Sequence, residues 1–414
     1  MSKRALRMAG GAAMTLVCGA VLVGGSETAV VQAVPIGPGC PALYMLGIQG
    51  TGQSSPTADP TADSGVIGAL LRPVIATVPT LVQRSYIPYD AAFGGAVPGG
   101  GVDPYVTSVN DALAGLDSAA VQVVATCPDT LLAAVGYSQG AQAVAEFARS
   151  VGSGNGPVPA ERIAGIALYS NPTRPSGAPV FPGRPGQSVP DPAPGSSGAA
   201  VSGVQVTSSA SVGGGIAADD ATYGALTGRV ADICVDGDLA CSAPDNAAVL
   251  HAGAELAAQA DLRDPIAAVG SIHSLLSAAL GDAWTEFVLN DFRVQPDDVD
   301  YLPAESLSQR LIDAADPRVP RPSSDDVAAA AGRWREITTA VTVDPAAVLP
   351  KLAAQLSAAW GQLIADSSDL VNPAVWIRFG DTVSRHNGYA VTGQMTSGIA
   401  WFIALARDIA GSRS

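Results

Sequence analysis

One pentapeptide constrains this chain more than any other feature. Gly136-Tyr137-Ser138-Gln139-Gly140 stands between an apolar run at 130–135 and a segment at 141–151 whose apolar residues recur at helical spacing. A G-x-S-x-G between strand and helix is the sequence form of a sharp turn that thrusts a serine hydroxyl out at the carboxyl edge of a sheet. The glycines allow the turn and the close approach of strand and helix. The Gln139 amide then points to where an oxyanion would develop. Strand before and helix after separate this pattern from a chance match in a chain with 46 glycines.

The surroundings extend the same pattern. Strands are expected at 42–48, 81–87, 130–135, 162–169 and 229–234, and helices at 65–78, 104–124 (with Asp103 as N-cap) and 141–151. Strands alternating with helices imply an α/β fold with a parallel sheet covered on both faces. Between 172 and 222 lies a Gly/Pro/Ser-rich stretch too long for an ordinary connection, which reads as a cleft-lining loop or a lid. From 245 to 370 the character becomes amphipathic helices without strand signals, read as a helical insertion. Ile266, Val269, His273, Leu276, Leu280, Trp284 and Phe287 form one apolar face there. The domain reading is therefore a leader at 1–33, an α/β core at 34–244, the insertion at 245–370, and the end of the core at 371–414.

Lys3, Arg4 and Arg7 precede an apolar run of small residues at 8–25, and Val31-Gln32-Ala33 offers a cleavage end. This predicts an export signal removed near Ala33, with Cys18 discarded, and a secreted or envelope-associated product. A membrane anchor is the alternative, but the run is short and broken by glycines. Cys40, Cys127, Cys234 and Cys241 remain, an even number in an exported chain. Of three possible pairings, the short loop favours Cys234–Cys241, which leaves Cys40–Cys127. No zinc site is expected, because C-x6-C is not a usual ligand spacing and no His pair accompanies it. The net charge of −15 and the absence of a basic stripe exclude a nucleic-acid partner and charge-driven docking on anionic lipid.

A serine nucleophile needs a base and an acid that orients it, in the chain order Ser, Asp/Glu, His for this class of sheet. Asp238 lies in the Cys234–Cys241 loop after the 229–234 strand, and Asp236 is its rival. Three histidines exist. His273 falls on the apolar stripe and reads as core, while His251 reads as helix interior. His386 stands in a turn-prone segment between a strand-like run at 374–379 and a C-terminal helix. It is the preferred base, with His251 as the alternative.

These residues resemble the cutinase family of secreted serine esterases. Gly-Tyr-Ser138-Gln-Gly is similar to its nucleophile motif, Cys40 and Cys127 to its first disulfide, and Cys-Val-Asp-Gly-Asp238-Leu-Ala-Cys241 to its acid loop. Small cutinases carry their His where this chain has His251, closely followed by a Tyr that is missing here; His386-Asn-Gly-Tyr389 supplies that pattern. Thr51, eleven residues after Cys40, corresponds to the oxyanion-hole Ser/Thr. The resemblance thus implies a cutinase-like α/β-hydrolase fold, with an oxyanion hole from the amides of Thr51 and Gln139 helped by the Thr51 hydroxyl. The helical insertion, and Tyr169-Ser-Asn-Pro, resemble the mycobacteriophage lysin B esterases, which cleave mycolate from arabinogalactan. The implied function is hydrolysis of lipid or polyester acyl esters without metal or organic cofactor. Cell-envelope lipids are possible substrates, and no obligate protein partner is evident. The alternatives are a mycolyl-ester hydrolase or acyltransferase of the envelope, and a non-catalytic envelope-binding protein on the same scaffold.

Overall fold

In a computed structural model of the chain, the residues described are 33–209, 213–220, 222–296 and 298–413. The expected leader and Cys18 lie outside them. Five strands build the central sheet: β1 (Leu43–Ile48), β2 (Val82–Tyr86), β3 (Leu131–Tyr137), β4 (Ile163–Tyr169) and β5 (Val230–Ile233). Their order is β2-β1-β3-β4-β5 and every pairing is parallel. All six residues of β1 and all seven of β3 are buried, as the strands of a sheet covered on both faces must be.

Alternation along β1 assigns the two faces. Leu43 and Met45 share a core with α1 (Gly65–Thr77) and the C-terminal helix, while Tyr44, Leu46 and Ile48 pack on α2 (Tyr105–Thr126) and α3 (Gln139–Gly152). Sheet order reverses between β1 and β3, and a crevice opens at the carboxyl ends of the strands at such a reversal. Position 51 and position 138 follow those two strands. One boundary differs from expectation: Pro104, not Asp103, is the N-cap of α2, and the Asp103 carbonyl instead accepts from the Gly94 amide at 2.7 Å.

Over the parts described, the 172–222 stretch carries residues of the core. Phe181, Ala193, Val201 and Val206 are buried in the core beside Trp401. The Asp408 carboxylate accepts from the amides of Ala200 and Val201 at 2.8 and 2.9 Å. Scattered apolar residues without periodicity fill this face as a strap, which a search for regular elements does not reveal.

After β5 come α4 (Leu239–Ser242), α5 (Ala248–Gln259) and α6 (Pro265–Asn290). A hairpin follows, β6 (Phe292–Gln295) with β7 (Asp298–Tyr301), and then α7 (Leu307–Ala315), α8 (Ser324–Val343) and α9 (Pro345–Ala365). The hairpin corrects the expectation of helices alone: Phe292, Val299 and Tyr301 are buried and Val294 packs beside them, a period-two pattern too short to stand out. These elements enclose a second apolar core around Val288, Ile337 and Val348. The α6 stripe is also corrected. Ile266 is 86% exposed, His273 is exposed rather than core, and the buried side chains of α6 are Ala279, Thr285 and Val288. Periodicity finds an apolar face; it does not say which face the neighbouring helices α7 and α8 cover.

The chain closes with α10 (Pro373–Arg378), α11 (Thr382–Asn387) and α12 (Thr396–Gly411). The expected strand at 374–379 is thus a helix. Its Val-Trp-Ile run has strand-like composition, but Pro373 occupies the first turn and the Asn372 side chain caps the Ala374 amide at 3.1 Å. His386 accordingly sits in the last turn of a short helix, not in a loop.

Candidate active site

Ser138 is the hinge between β3 and α3. Its backbone lies at φ 53° and ψ −121°, a conformation that a non-glycine residue rarely adopts. The turn is possible because its flanks are glycines. A methyl group at Gly136 would strike the Gly140 carbonyl, and one at Gly140 would strike the carbonyls of Ile48 and Gln49. The end of β1 therefore passes directly over the start of α3, bringing position 51 to the serine.

Gln139 locks this crossing. Its buried side chain donates to the Ala92 carbonyl at 2.9 Å and accepts from the hydroxyls of Thr51 at 3.2 Å and Tyr89 at 3.3 Å. Tyr89 also donates to the Gln49 carbonyl at 2.6 Å. Position 51 and the start of α3 are thereby held as one unit, and the Thr51 hydroxyl is engaged by the Gln139 side chain.

Asp238 is buried, N-caps α4 and accepts from the Ala240 amide at 3.1 Å. Disulfides join Cys234 to Cys241 and Cys40 to Cys127. The first closes a ring around Asp238. Asp236, the rival acid, accepts from Arg378 Nε at 2.9 Å, and its carbonyl accepts from Arg385, which ties α10 and α11 to the acid loop. The Leu239 amide donates to Thr382 Oγ1 at 2.8 Å across the same junction.

That junction delivers His386. Its Nε2 lies 3.0 Å from Ser138 Oγ, and its Nδ1 lies 2.9 Å from Asp238 Oδ1. The Tyr137 hydroxyl donates to the His386 carbonyl at 2.6 Å, fixing the ring from behind. A proton on Nδ1, shared with the carboxylate, leaves the Nε2 lone pair facing the serine, which is the arrangement a general base needs. His251 is placed otherwise: its ring nitrogens face the carbonyls of Ile216 and Pro244 at 2.8 and 3.0 Å.

Two further groups touch the acid. Tyr389 donates to Asp238 Oδ2 at 3.0 Å and accepts from the Val235 amide at 2.9 Å. Burial, with the carboxylate alongside, pushes its phenol well above the ordinary range, so it remains a donor. The Ser170 hydroxyl donates to Asp238 Oδ2 at 2.6 Å and lies 2.9 Å from His386 Nδ1. The signal for Tyr389 was its spacing from His386. That for Ser170 was its place after an apolar strand, at the sheet edge where Ser138 also emerges. Among the described residues, no three His, Cys, Asp or Glu side chains gather in a way that could hold a metal ion.

Residues 39–260 match the profile of a family described as Cutinase. That segment contains Ser138, Asp238 and His251 and ends before His386. A carboxylesterase Culp6 homolog from Corynebacterium glutamicum is 29% identical over 226 residues, covering 50% of this chain and 67% of that protein. The catalytic core domain of acetyl xylan esterase from Trichoderma reesei is 21% identical, covering 57% of this chain and 99% of that one, with a TM-score of 0.36. Lysin B from mycobacteriophage D29 is 18% identical and covers 72% of this chain and 100% of that one, also with a TM-score of 0.36.

Proposed function

Because the chain belongs to the cutinase family and is an ester-hydrolysing serine hydrolase, we propose that it cleaves acyl esters of lipids or polyesters through Ser138, His386 and Asp238. Ser138 Oγ attacks the ester carbonyl as His386 Nε2 takes its proton. The imidazolium then gives that proton to the leaving alcohol, and water repeats the sequence to release the acid. Asp238 keeps the ring in the productive tautomer and offsets its charge. The amides of Thr51 and Gln139 stabilise the tetrahedral oxyanion; one such donor is typically worth on the order of 3 kcal/mol of barrier.

The observation that carries this reading is the unbroken line from Ser138 Oγ through the His386 ring to Asp238, with contacts of 3.0 and 2.9 Å. Secretion is supported by the two disulfides, which persist in oxidising compartments. An apolar acyl substrate is supported by Ile377, Val383 and Val391, all strongly exposed on the chain segment that carries His386. On p-nitrophenyl esters from acetate to laurate, kcat/KM should rise with chain length, by up to about fourfold per methylene withdrawn from water. A flat profile, or one that peaks at acetate, would remove the lipid and polyester assignment.

A further inference from the structure

The geometry points to Ser170 as a positioning residue that holds the His386–Asp238 pair and stabilises the protonated ring. Ser170 follows β4, and its amide donates to the Ile233 carbonyl at 3.0 Å, while the Ser138 amide donates to the Tyr169 carbonyl at 2.8 Å. The two serines therefore emerge side by side from adjacent strands. Next in chain, Asn171 donates to Asp232 Oδ2 at 2.9 Å and accepts from the Thr173 amide at 3.1 Å, pinning the turn.

Ser170 is fully buried with φ at +56°, in the left-handed region that favours glycine. A serine there carries backbone strain that glycine would not, and such strain concentrates where the side chain is needed. Its one hydroxyl proton goes to Asp238 Oδ2 at 2.6 Å, so toward His386 Nδ1, at 2.9 Å, the hydroxyl oxygen can only accept. The Nδ1 proton is thus shared between Asp238 Oδ1 and Ser170 Oγ. The hydroxyl dipole runs with its oxygen toward the ring and its hydrogen toward the carboxylate, an orientation that favours both charges of the pair. It follows that Ser170 is worth most when the ring is protonated, as it is while Ser138 attacks.

This inference rests on the proposed roles of Ser138, His386 and Asp238. Three variants test it with a soluble p-nitrophenyl ester: Ser170→Gly, which relieves the backbone; Ser170→Ala, whose methyl fills the space; and Ser138→Ala. A hydrogen bond between charged partners is worth enough to predict a fall in kcat of roughly ten- to hundredfold in both Ser170 variants, with KM unchanged. The acid limb of kcat/KM should move to lower pH, because the ring loses a group that stabilises its protonated form. Ser170→Gly should melt within about 4 °C of the parent protein. Retention of kcat within twofold, or a fall in kcat with the acid limb unmoved, would overturn the inference. Turnover persisting in Ser138→Ala would instead defeat the underlying reading, so the two failures are distinguishable.

Discussion

His386→Ala should lower kcat by about four to six orders of magnitude, the range found when a base of this kind is removed. His251→Ala should leave kcat within a few-fold of the parent. The contrast follows from what each ring touches. His386 links the serine to a buried carboxylate through both ring nitrogens. His251 sits in α5, where its nitrogens face two backbone carbonyls and none is turned to the serine. The ring packs residue 216 against α5 and donates to one of the two carbonyls, so His251→Ala should register in stability, by about 1–3 kcal/mol for the carbonyl left unpaired. Initial rates on p-nitrophenyl butyrate and denaturant titrations of the same preparations separate the two effects. Loss of turnover in His251→Ala alone would reverse the assignment of the base, and is the outcome to expect if the segment matching the family contained the whole machinery.

The second large effect concerns stability. The Cys40–Cys127 bond closes a separation of 87 residues and the Cys234–Cys241 bond one of 7. In the chain-entropy model these closures contribute about 4.5 and about 2.5 kcal/mol respectively. Cys40 is exposed, whereas Cys234 and Cys241 are buried, with Cys241 against the Tyr389 hydroxyl. Because exchange requires access to a sulfur, mild reductant should open Cys40–Cys127 first. The expected sequence is a fall of several kcal/mol in unfolding free energy with turnover retained, followed under harsher reduction by loss of turnover as the Asp238 loop is freed. Urea titrations and rates across a dithiothreitol series, with thiol counting by mass, follow both stages. Simultaneous loss of stability and activity at the first thiol pair would count against this division of roles.

Much of the core was legible because its strands are buried on both faces and its helices are amphipathic. Five parallel strands, the turn at Ser138 and both disulfides correspond to elements that local pattern specifies well. The rest falls where end-capping or packing outweighs composition. The 374–379 run has the composition of a strand, but Asn372 and Pro373 start a helix. The 172–222 segment has no period, yet Phe181 and Val201 fill a core. On α6 the first part of the apolar stripe, from Ile266 through His273 to Leu280, is exposed, whereas Trp284 and Phe287 at its far end meet Trp334, Phe292 and Tyr301. Ser170 was the least legible. Its importance depends on which strand lies beside β3, and on a left-handed backbone that residue type does not announce.

The most direct test is the rate of fluorophosphonate labelling at Ser138, followed by peptide mass mapping in the parent protein, His386→Ala and His251→Ala. A single adduct on Ser138 should form rapidly in the parent and in His251→Ala, and slow by at least about a thousandfold without the base. An adduct on another serine, or equal labelling of the parent and His386→Ala, would show that these side chains do not act as one unit.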